Sequence, residues 1–388
     1  MKSILALMLF KIEKKQTKGT YPRSSSTTVR PLDELNLVYE KYSREERLQG
    51  SPERVAINLV FVHGTSMSKA VWKYHIRRLY KYNAKNWVLK DVLALDEAGH
   101  GDSGFLNKGK LGGESDWNDS AKDVNEVVKH EQRTSGDFKV GKWEKNIVIG
   151  HSLGAYHSIL ASFFEPNIYE EVIAFEPVMY ISWEGADHFQ MLIEKWANLV
   201  MDQFEDMELY ENYFKMAFRF VHPEIVQDFL REEKVTVVDE NNEEKICTKT
   251  SGFHQVATFA SSLKYVPFGM HNLSQLQTPV THVIGTKAKW NPPQSIPYIR
   301  NSIPKGLVTP VDLENGRHLC CFEMPEETIS VIVESVQRRV DALYSKNAAN
   351  DKYLADVGVE NVSHDQQSRL FDLYKKDFDS YQRKKNKL

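Results

Sequence analysis

The sequence of 388 residues contains only three cysteines, and two of them, Cys320 and Cys321, are adjacent. So few cysteines cannot form the disulfide framework of a secreted domain, and adjacent cysteines are too close to bridge in ordinary geometry. Cys247 and the thirteen histidines show neither C-x-x-C nor H-E-x-x-H spacing, so the sequence predicts no metal site. We therefore expect an intracellular protein without a bound metal.

The sequence also lacks an excess of charge of one sign and any long apolar run. Fifty Lys and Arg residues against 53 Asp and Glu give a net charge of −3, which offers no basic surface for nucleic acid. No run of about 18 apolar residues is present, so no transmembrane segment is predicted. Aromatic residues are plentiful, with 19 Phe, 17 Tyr and 7 Trp, and they favour a sizeable folded core of one or two domains.

Both ends of the chain are predicted to lie outside that core. Residues 1–33 are expected to form a flexible N-terminal lead, because residues 11–33 are polar. The apolar run Ile4–Phe10 is shorter than a typical signal peptide requires and is followed by no small-residue cleavage site. The chain closes with Asn386-Lys387-Leu388.

This C-terminal tripeptide resembles Ser-Lys-Leu, the targeting signal that the peroxisomal import receptor binds. Lys387 and Leu388 fit the pattern, whereas Asn386 replaces the usual small residue. The tripeptide predicts the import receptor as a partner and the peroxisome matrix as the location. The alternative is a basic, solvated C-terminus on a cytoplasmic protein.

Apolar runs of strand length alternate with stretches of helical periodicity along most of the chain. The predicted strands cover residues 35–42, 56–62, 92–95, 146–149, 171–175, 280–284 and 307–313. This alternation predicts an α/β fold, with a mostly parallel sheet covered by helices on both faces. It stops between about residues 180 and 278, where the apolar spacing is mainly helical apart from a short strand-like run at Val235–Val238.

The simplest organisation is therefore one α/β domain interrupted by an insertion. We predict a core made of residues 34–179 and 279–345, with a mainly helical lid over 180–278. Residues 346–388 are predicted to form a helical tail that carries the C-terminal tripeptide.

The pentapeptide Gly150-His151-Ser152-Leu153-Gly154 matches G-x-S-x-G and lies directly between a predicted buried strand and a predicted helix. This is the context of a nucleophile elbow, in which the serine occupies a sharp, strained turn. The flanking glycines let the strand and the helix pass closely, and the Leu153 amide at the helix N-terminus faces a developing oxyanion. The alternative is an ordinary glycine-rich turn between a strand and a helix.

A second oxyanion donor is predicted in His63-Gly64-Thr65, which follows the strand over 56–62. Gly64 would let this loop approach the substrate, and the Thr65 amide would donate the second hydrogen bond. Gly99–Gly104 satisfies G-x-G-x-x-G, the pattern of a dinucleotide site, but the residues after it are a poor start for a helix. We interpret that stretch as a loop at the rim of the active site.

A serine nucleophile requires a base, and the base requires an acid that orients it. The order in this type of hydrolase is serine, acid, histidine. Among the downstream histidines, only His318 lies in a loop between a late predicted strand and the final long helix, so it is the predicted base. The alternative is a histidine of a surface loop.

The acid is harder to assign from the sequence. It usually follows the strand before the one that precedes the histidine, but residues 284–291 contain no carboxylate. Glu176, at the end of the strand predicted over 171–175, is the leading candidate. Asp96 and Glu97 remain alternatives, and the acid could also be a residue that this spacing does not identify.

Taken in order, these motifs resemble the α/β-hydrolase superfamily over residues 35–345. The stretches 61–69, 175–178 and 290–294 are most similar to its peroxisomal lipases. The resemblance implies a carboxylic-ester hydrolase that acts on acylglycerol-type lipids in the peroxisome matrix and needs no cofactor.

The leading prediction is a serine hydrolase that cleaves lipid or other small esters through an acyl-enzyme. A hydrolase of acyl thioesters would use the same residues, and the sequence does not separate the two. Epoxide and haloalkane hydrolysis are disfavoured, because those reactions use a carboxylate where this chain has Ser152. A binding protein of the same fold without catalytic activity is the alternative of another class.

Overall fold

The computed structural model describes residues 10–46, 48–182, 190–191, 193–238, 242–356, 371–372 and 374–376. The chain divides into two compact units, Met1–Gln337 and Arg338–Leu388. The sheets and the candidate site described below belong to the first unit. Among the described helices, none is long and apolar enough to cross a membrane.

The strands are numbered along the chain. They are β1 (Lys11–Lys18), β2 (Asn36–Ser43), β3 (Val55–Val62), β4 (Trp87–Leu95), β5 (Glu144–His151), β6 (Glu171–Phe175), β7 (Gln203–Phe204), β8 (Lys234–Val238), β9 (Glu244–Thr248), β10 (Val280–Gly285) and β11 (Val308–Leu313).

Eight of these described strands form the main sheet, in the order β1-β2-β4-β3-β5-β6-β10-β11. Strand β2 runs antiparallel to its neighbours β1 and β4. All other neighbouring pairs are parallel. The predicted α/β fold with a mostly parallel sheet is confirmed.

Strand β3 shows why the central strands are nearly continuous apolar runs. All eight of its residues are buried, and successive side chains point to opposite faces of the sheet. Val60 and Val62 join the core cluster that includes Leu153 and Ile159, whereas the Phe61 ring lies 5.0 Å from the Trp72 ring. Both faces are therefore covered, as expected for parallel strands.

The described helices follow the strands and fill the two faces. Their bounds are Lys73–Leu79, preceded by a 3-10 turn at Lys69–Trp72, Gly101–Leu106, Trp117–Thr134, Leu153–Phe164, Met207–Ala217, Pro223–Glu233, Gly252–Ala260, Ser262–Asn272, Ser295–Ser302, Cys320–Glu323 and Pro325–Asp356.

The long helix Trp117–Thr134 illustrates how local sequence defines a boundary. The Asp116 side chain accepts hydrogen bonds from the amides of Asn118 and Asp119, which satisfies donors that have no partner inside the helix. Val124 and Val128 lie on the side that packs into the core.

The prediction of a flexible lead over residues 1–33 is wrong for Lys11–Lys18, which form β1 and pair with β2 along their whole length. This edge strand is mostly exposed, so it carries no apolar signal, and backbone hydrogen bonds hold it in place. Arg23 then forms a buried ion pair with Asp123, with 2.9 Å between the charged atoms. Residues 1–9 lie outside the described part of the chain.

The insertion predicted over residues 180–278 contains more strand than the sequence indicated. Strands β7, β9 and β8 form a small antiparallel sheet beside the helices of this segment. Only β8 gave a strand signal, because β7 spans two residues and β9 is partly exposed and charged. The boundaries of the insertion stay a prediction.

The prediction of a rim loop over Gly99–Gly104 is also wrong in part, because Gly101–Leu106 form a helix. Gly101 adopts a φ of +53°, and a Cβ there would lie 2.6 Å from the Asp96 carboxylate. That carboxylate accepts the Asp102 amide at 2.9 Å, an interaction that favours a helix N-terminus. The final long helix, Pro325–Asp356, continues past residue 345, where the core was predicted to end, and Asn386–Leu388 lie outside the described residues.

Candidate active site

The three residues predicted as nucleophile, acid and base follow three different strands of the main sheet. Ser152 comes directly after β5, Glu176 directly after β6, and His318 lies in the loop after β11. Because these strands are parallel, their carboxyl ends meet at one edge of the sheet. The structure therefore brings the three side chains together from distant positions in the sequence.

Ser152 occupies the strained turn that the elbow motif predicts. Its backbone has φ +56° and ψ −118°, a conformation that residues other than glycine rarely adopt. A Cβ on Gly150 would lie 2.1 Å from the Gly154 carbonyl oxygen, and one on Gly154 would lie 2.4 Å from the carbonyl oxygens of Val62 and His63. The close approach of β5, the following helix and β3 thus requires both glycines.

The His318 side chain lies between the serine and the carboxylate. Its Nε2 atom is 3.1 Å from Ser152 Oγ, and its Nδ1 atom is 3.5 Å from an oxygen of Glu176. Ser152 and Glu176 are buried, whereas the imidazole retains 30% of its exposure. The chain of contacts from hydroxyl to imidazole to carboxylate has the geometry of a catalytic triad.

Glu176 is itself held in place by two donors from β10 and the segment after it. The Gly285 amide donates to Oε1 at 2.6 Å, and the indole N–H of Trp290 donates to Oε2. The Glu176 backbone has φ +49°, a second strained position within this site. Sequence reasoning missed Gly285 and Trp290 as supports of the acid, although both lie in the segment 284–291, where the spacing places the acid of this type of hydrolase.

The two alternative acids are engaged elsewhere. The Asp96 carboxylate accepts the Lys69 ammonium at 2.6 Å. Glu97 accepts the Ser120 hydroxyl at 3.0 Å and lies 3.1 Å from His100. These contacts leave Glu176 as the carboxylate that reaches His318.

The loop predicted to supply the second oxyanion donor packs against the elbow. A Cβ on Gly64 would lie 2.9 Å from His151 Nδ1 and 3.2 Å from Ser152 Cβ, so a larger residue here would displace the elbow side chains. The His63 ring fixes the loop, because Nδ1 donates to the Gly64 carbonyl at 2.8 Å and Nε2 accepts the Glu97 amide at 3.1 Å. Thr65 lies in the turn that follows β3.

Leu153, the other predicted oxyanion donor, is the first residue of the helix Leu153–Phe164. An amide in the first turn of a helix has no partner within that helix and can face a ligand. The oxyanion roles of Thr65 and Leu153 stay predictions.

Burial keeps two histidines beside this site, His63 and His151, neutral near pH 7. It lowers the pKa of His63 to about 4 and holds the pKa of His151 well below its usual value. Within the described residues, no group of three or more His, Cys, Asp or Glu side chains is arranged to hold a metal ion. The side chains that the structure does bring together here are the Ser152 hydroxyl, the His318 imidazole and the Glu176 carboxylate.

The profile of a family described as "Alpha/beta hydrolase family" matches residues 59–331, a span that includes every residue of this site. The chain belongs to this family.

Two comparisons point to the same relative. The sequence is 26% identical over 383 residues to the peroxisomal membrane protein LPX1 of Saccharomyces cerevisiae, covering 94% of this chain and 96% of that protein. The crystal structure of the peroxisomal alpha-beta-hydrolase Lpx1 from the same yeast has a TM-score of 0.78 at 25% identity, covering 97% of this chain and 98% of that one. The predicted resemblance to the α/β-hydrolase superfamily and its yeast peroxisomal member is confirmed.

A more distant structural match agrees with the fold. The crystal structure of E-2-(acetamidomethylene)succinate hydrolase has a TM-score of 0.60 at 18% identity, covering 84% of this chain and 100% of that one. At this identity the likeness shows the α/β-hydrolase fold alone. Together with the family match, these findings support a hydrolase.

Proposed function

We propose that this α/β hydrolase cleaves carboxylic esters of apolar acyl chains through a serine acyl-enzyme. The observation that carries the proposal is the contact of His318 Nε2 with Ser152 Oγ at 3.1 Å, on a strained turn that presents the hydroxyl. An imidazole in this position can accept the proton of the serine as it attacks a carbonyl carbon.

The reaction divides into two steps. Ser152 Oγ attacks the ester carbonyl while His318 Nε2 takes the hydroxyl proton, and the same proton then passes to the departing alcohol. A water molecule next attacks the acyl-enzyme with His318 as base, which releases the acid and restores the serine. Glu176 keeps the His318 tautomer with hydrogen on Nδ1 and stabilises the imidazolium formed in each step.

The negative charge that develops on the carbonyl oxygen needs donors that are already in place. The amides of Thr65 and Leu153 are the proposed pair, one from the loop after β3 and one from the helix N-terminus. The loss of one such donor typically raises the barrier by about 2.7–4 kcal/mol.

The preference for apolar acyl chains is supported by a cavity of about 410 Å³ lined mainly by apolar side chains. Ile181, Leu263 and Met270 are among the side chains that line it. The segment that leads to Ile181 starts at the site, since the Val178 amide lies 3.4 Å from the Ser152 carbonyl oxygen. Lipid esters of the acylglycerol type are therefore the proposed substrates.

We propose the peroxisome matrix as the place of action. The support is the C-terminal tripeptide Asn386-Lys387-Leu388 and the similarity to a yeast protein named as peroxisomal. The import receptor that reads such tripeptides is the proposed partner.

The test is hydrolysis of matched p-nitrophenyl esters, acylglycerols and acyl thioesters by the purified protein and by Ser152→Ala. We expect ester hydrolysis that the substitution abolishes, with medium or long acyl chains preferred over acetate. A preference for thioesters would reassign the substrate class while keeping the mechanism. Absence of hydrolysis across the panel would contradict the proposal and favour a binding protein.

A further inference from the structure

The candidate base His318 lies in a loop whose position determines whether it reaches the nucleophile. We call residues 314–323, between β11 and the final helix, the base loop. Carbonyl groups of this loop that are wholly or partly shielded from water are stabilised by a donor from the protein. Two of these donors are the side chains of buried histidines outside the loop.

The first donor comes from the nucleophile elbow. His151 Nε2 lies 2.8 Å from the carbonyl oxygen of His318. His151 is the last residue of β5 and precedes Ser152 directly in the chain. The hydrogen bond from its ring therefore connects the backbone at His318, the base, to the residue next to the nucleophile. The ring is also packed in place, with its centroid 5.0 Å from the His318 ring and 5.1 Å from the Phe322 ring.

The second donor comes from the helix that follows the predicted oxyanion loop. His75, in the helix Lys73–Leu79, places Nε2 at 2.8 Å from the carbonyl oxygen of Cys321. His75 is fully buried, and Cys321 is fully buried as well. The Phe322 ring fills the space beside His75, with ring centroids 6.0 Å apart.

The partners define the protonation state of both rings. A carbonyl oxygen can only accept, so each Nε2 atom must carry hydrogen. Nδ1 of His151 has no hydrogen-bond partner among the described residues, and a Cβ on Gly64 would lie 2.9 Å from it. Burial lowers the pKa of His75 to about 4 and that of His151 well below its usual value, so both rings are neutral donors near pH 7.

We propose that His151 and His75 are positioning residues, which hold the base loop through their Nε2–H groups so that His318 stays within reach of Ser152. The proposal rests on the proposed function, because it assigns these histidines a task in the same reaction. In the sequence His151 stands out only as a member of the elbow pentapeptide that supports Ser152, and His75 belongs to none of the motifs. Neither ring touches the reacting atoms.

Leucine and glutamine substitutions separate hydrogen bonding from packing. Leucine fills much of the imidazole volume but donates nothing, whereas the amide nitrogen of glutamine can take the place of Nε2–H. His157, another buried histidine, makes no hydrogen bond to the base loop within the described part of the chain and serves as the matched control, as His157→Leu. Urea unfolding of every variant shows whether the fold is retained.

We expect His151→Leu and His75→Leu to lower kcat for a p-nitrophenyl ester by about 10- to 100-fold, with KM within about twofold of wild type. His151→Gln and His75→Gln should recover kcat to within about threefold of wild type, and His157→Leu should change kcat by less than about twofold. The rate of fluorophosphonate labelling of Ser152 should fall in parallel with kcat, because it needs the same base without turnover.

Leucine variants with wild-type kcat would overturn the proposal, and so would glutamine variants as impaired as the leucine variants, since packing alone would then explain the loss. In both cases an active wild-type enzyme leaves the proposed function standing. A wild-type protein that neither hydrolyses esters nor reacts with the fluorophosphonate would instead reject the proposed function together with this inference.

Discussion

At the scale of single residues, the site combines strained backbone positions with glycines that allow neighbouring backbone segments to approach closely. Ser152 and Glu176 both adopt positive φ values, which cost of order 1–3 kcal/mol each and persist only where the surroundings enforce them. Glycine at positions 64, 150 and 154 removes the Cβ atoms that would block these turns. The strain and the glycines together fix where the hydroxyl and the carboxylate point.

The assignment of the acid is tested by Glu176→Gln, which keeps the shape of the side chain but removes its charge. We expect kcat for an ester substrate to fall by about 10²- to 10⁴-fold, because the imidazolium loses its stabilising carboxylate. Glu314→Gln changes an exposed carboxylate of the base loop in the same way and should leave kcat within about twofold. Wild-type kcat in Glu176→Gln would show that another residue orients His318.

Part of the site could be predicted from sequence because its signals are local. The elbow pentapeptide and the late histidine follow from spacing and context, and their side chains do meet in the structure. The supports of Glu176 could not be predicted in this way, because Gly285 and Trp290 reach it from β10 and the segment after it, more than 100 residues along the chain. The hydrogen bond of His151 to the base loop likewise joins residues 167 positions apart.

At the scale of elements, the buried strands could be predicted from their apolar runs in the sequence, whereas the exposed strands could not. Strands β3 to β6 are mostly apolar and mostly buried, whereas β1 and β9 are charged, partly exposed and paired to neighbouring strands through their backbones. For this reason the N-terminal segment was wrongly predicted to be flexible. In the structure, β1 and the residues after it are attached to the core. Arg23 and Asp123 form the buried link, with side-chain exposures of 4% and 2%.

Arg23→Leu tests whether this segment contributes to stability. The substitution leaves the Asp123 carboxylate buried without its cation, so we expect the free energy of unfolding to fall by about 3–5 kcal/mol in urea denaturation. Arg30→Leu is the matched control, because its ion pair with Asp33 has an arginine that is 74% exposed. The control should lose less than about 1 kcal/mol, and equal small losses in both variants would indicate a loosely attached segment.

At the scale of the whole molecule, buried neutral histidines make stability depend on pH. Burial lowers the pKa of His63, His75 and His157 to about 4, while the unfolded chain protonates its histidines near pH 6.5. Between these values the unfolded state binds more protons than the folded state, so stability falls as the solution becomes more acidic. Above pH 6.5 this contribution is fully present.

We therefore expect the free energy of unfolding to decrease between pH 7 and pH 4, by up to roughly 3 kcal/mol for each such histidine. His157→Leu should make this dependence shallower in urea denaturation at a series of pH values. His271→Leu, at an exposed histidine, should leave the slope unchanged. An equal slope in His157→Leu and wild type would contradict the assignment of that ring as a buried neutral group.

The proposed location is also a property of the whole chain. Deleting Lys387 and Leu388 from a protein tagged at its N-terminus should move it from peroxisomal puncta to the cytosol in fluorescence microscopy, because the receptor reads the terminal tripeptide. Replacing Lys384 and Lys385 by alanine removes basic charge but keeps the tripeptide, and it should preserve the puncta. Continued import after the deletion would mean that the targeting signal lies elsewhere in the chain.

The most direct measurement of the central claim is the site of covalent labelling by a fluorophosphonate, read by mass spectrometry of the digested protein. The account predicts one modified residue, Ser152, with labelling lost in Ser152→Ala and strongly slowed in His318→Gln. Labelling that persists in Ser152→Ala, or that is as fast in His318→Gln as in wild type, would contradict it.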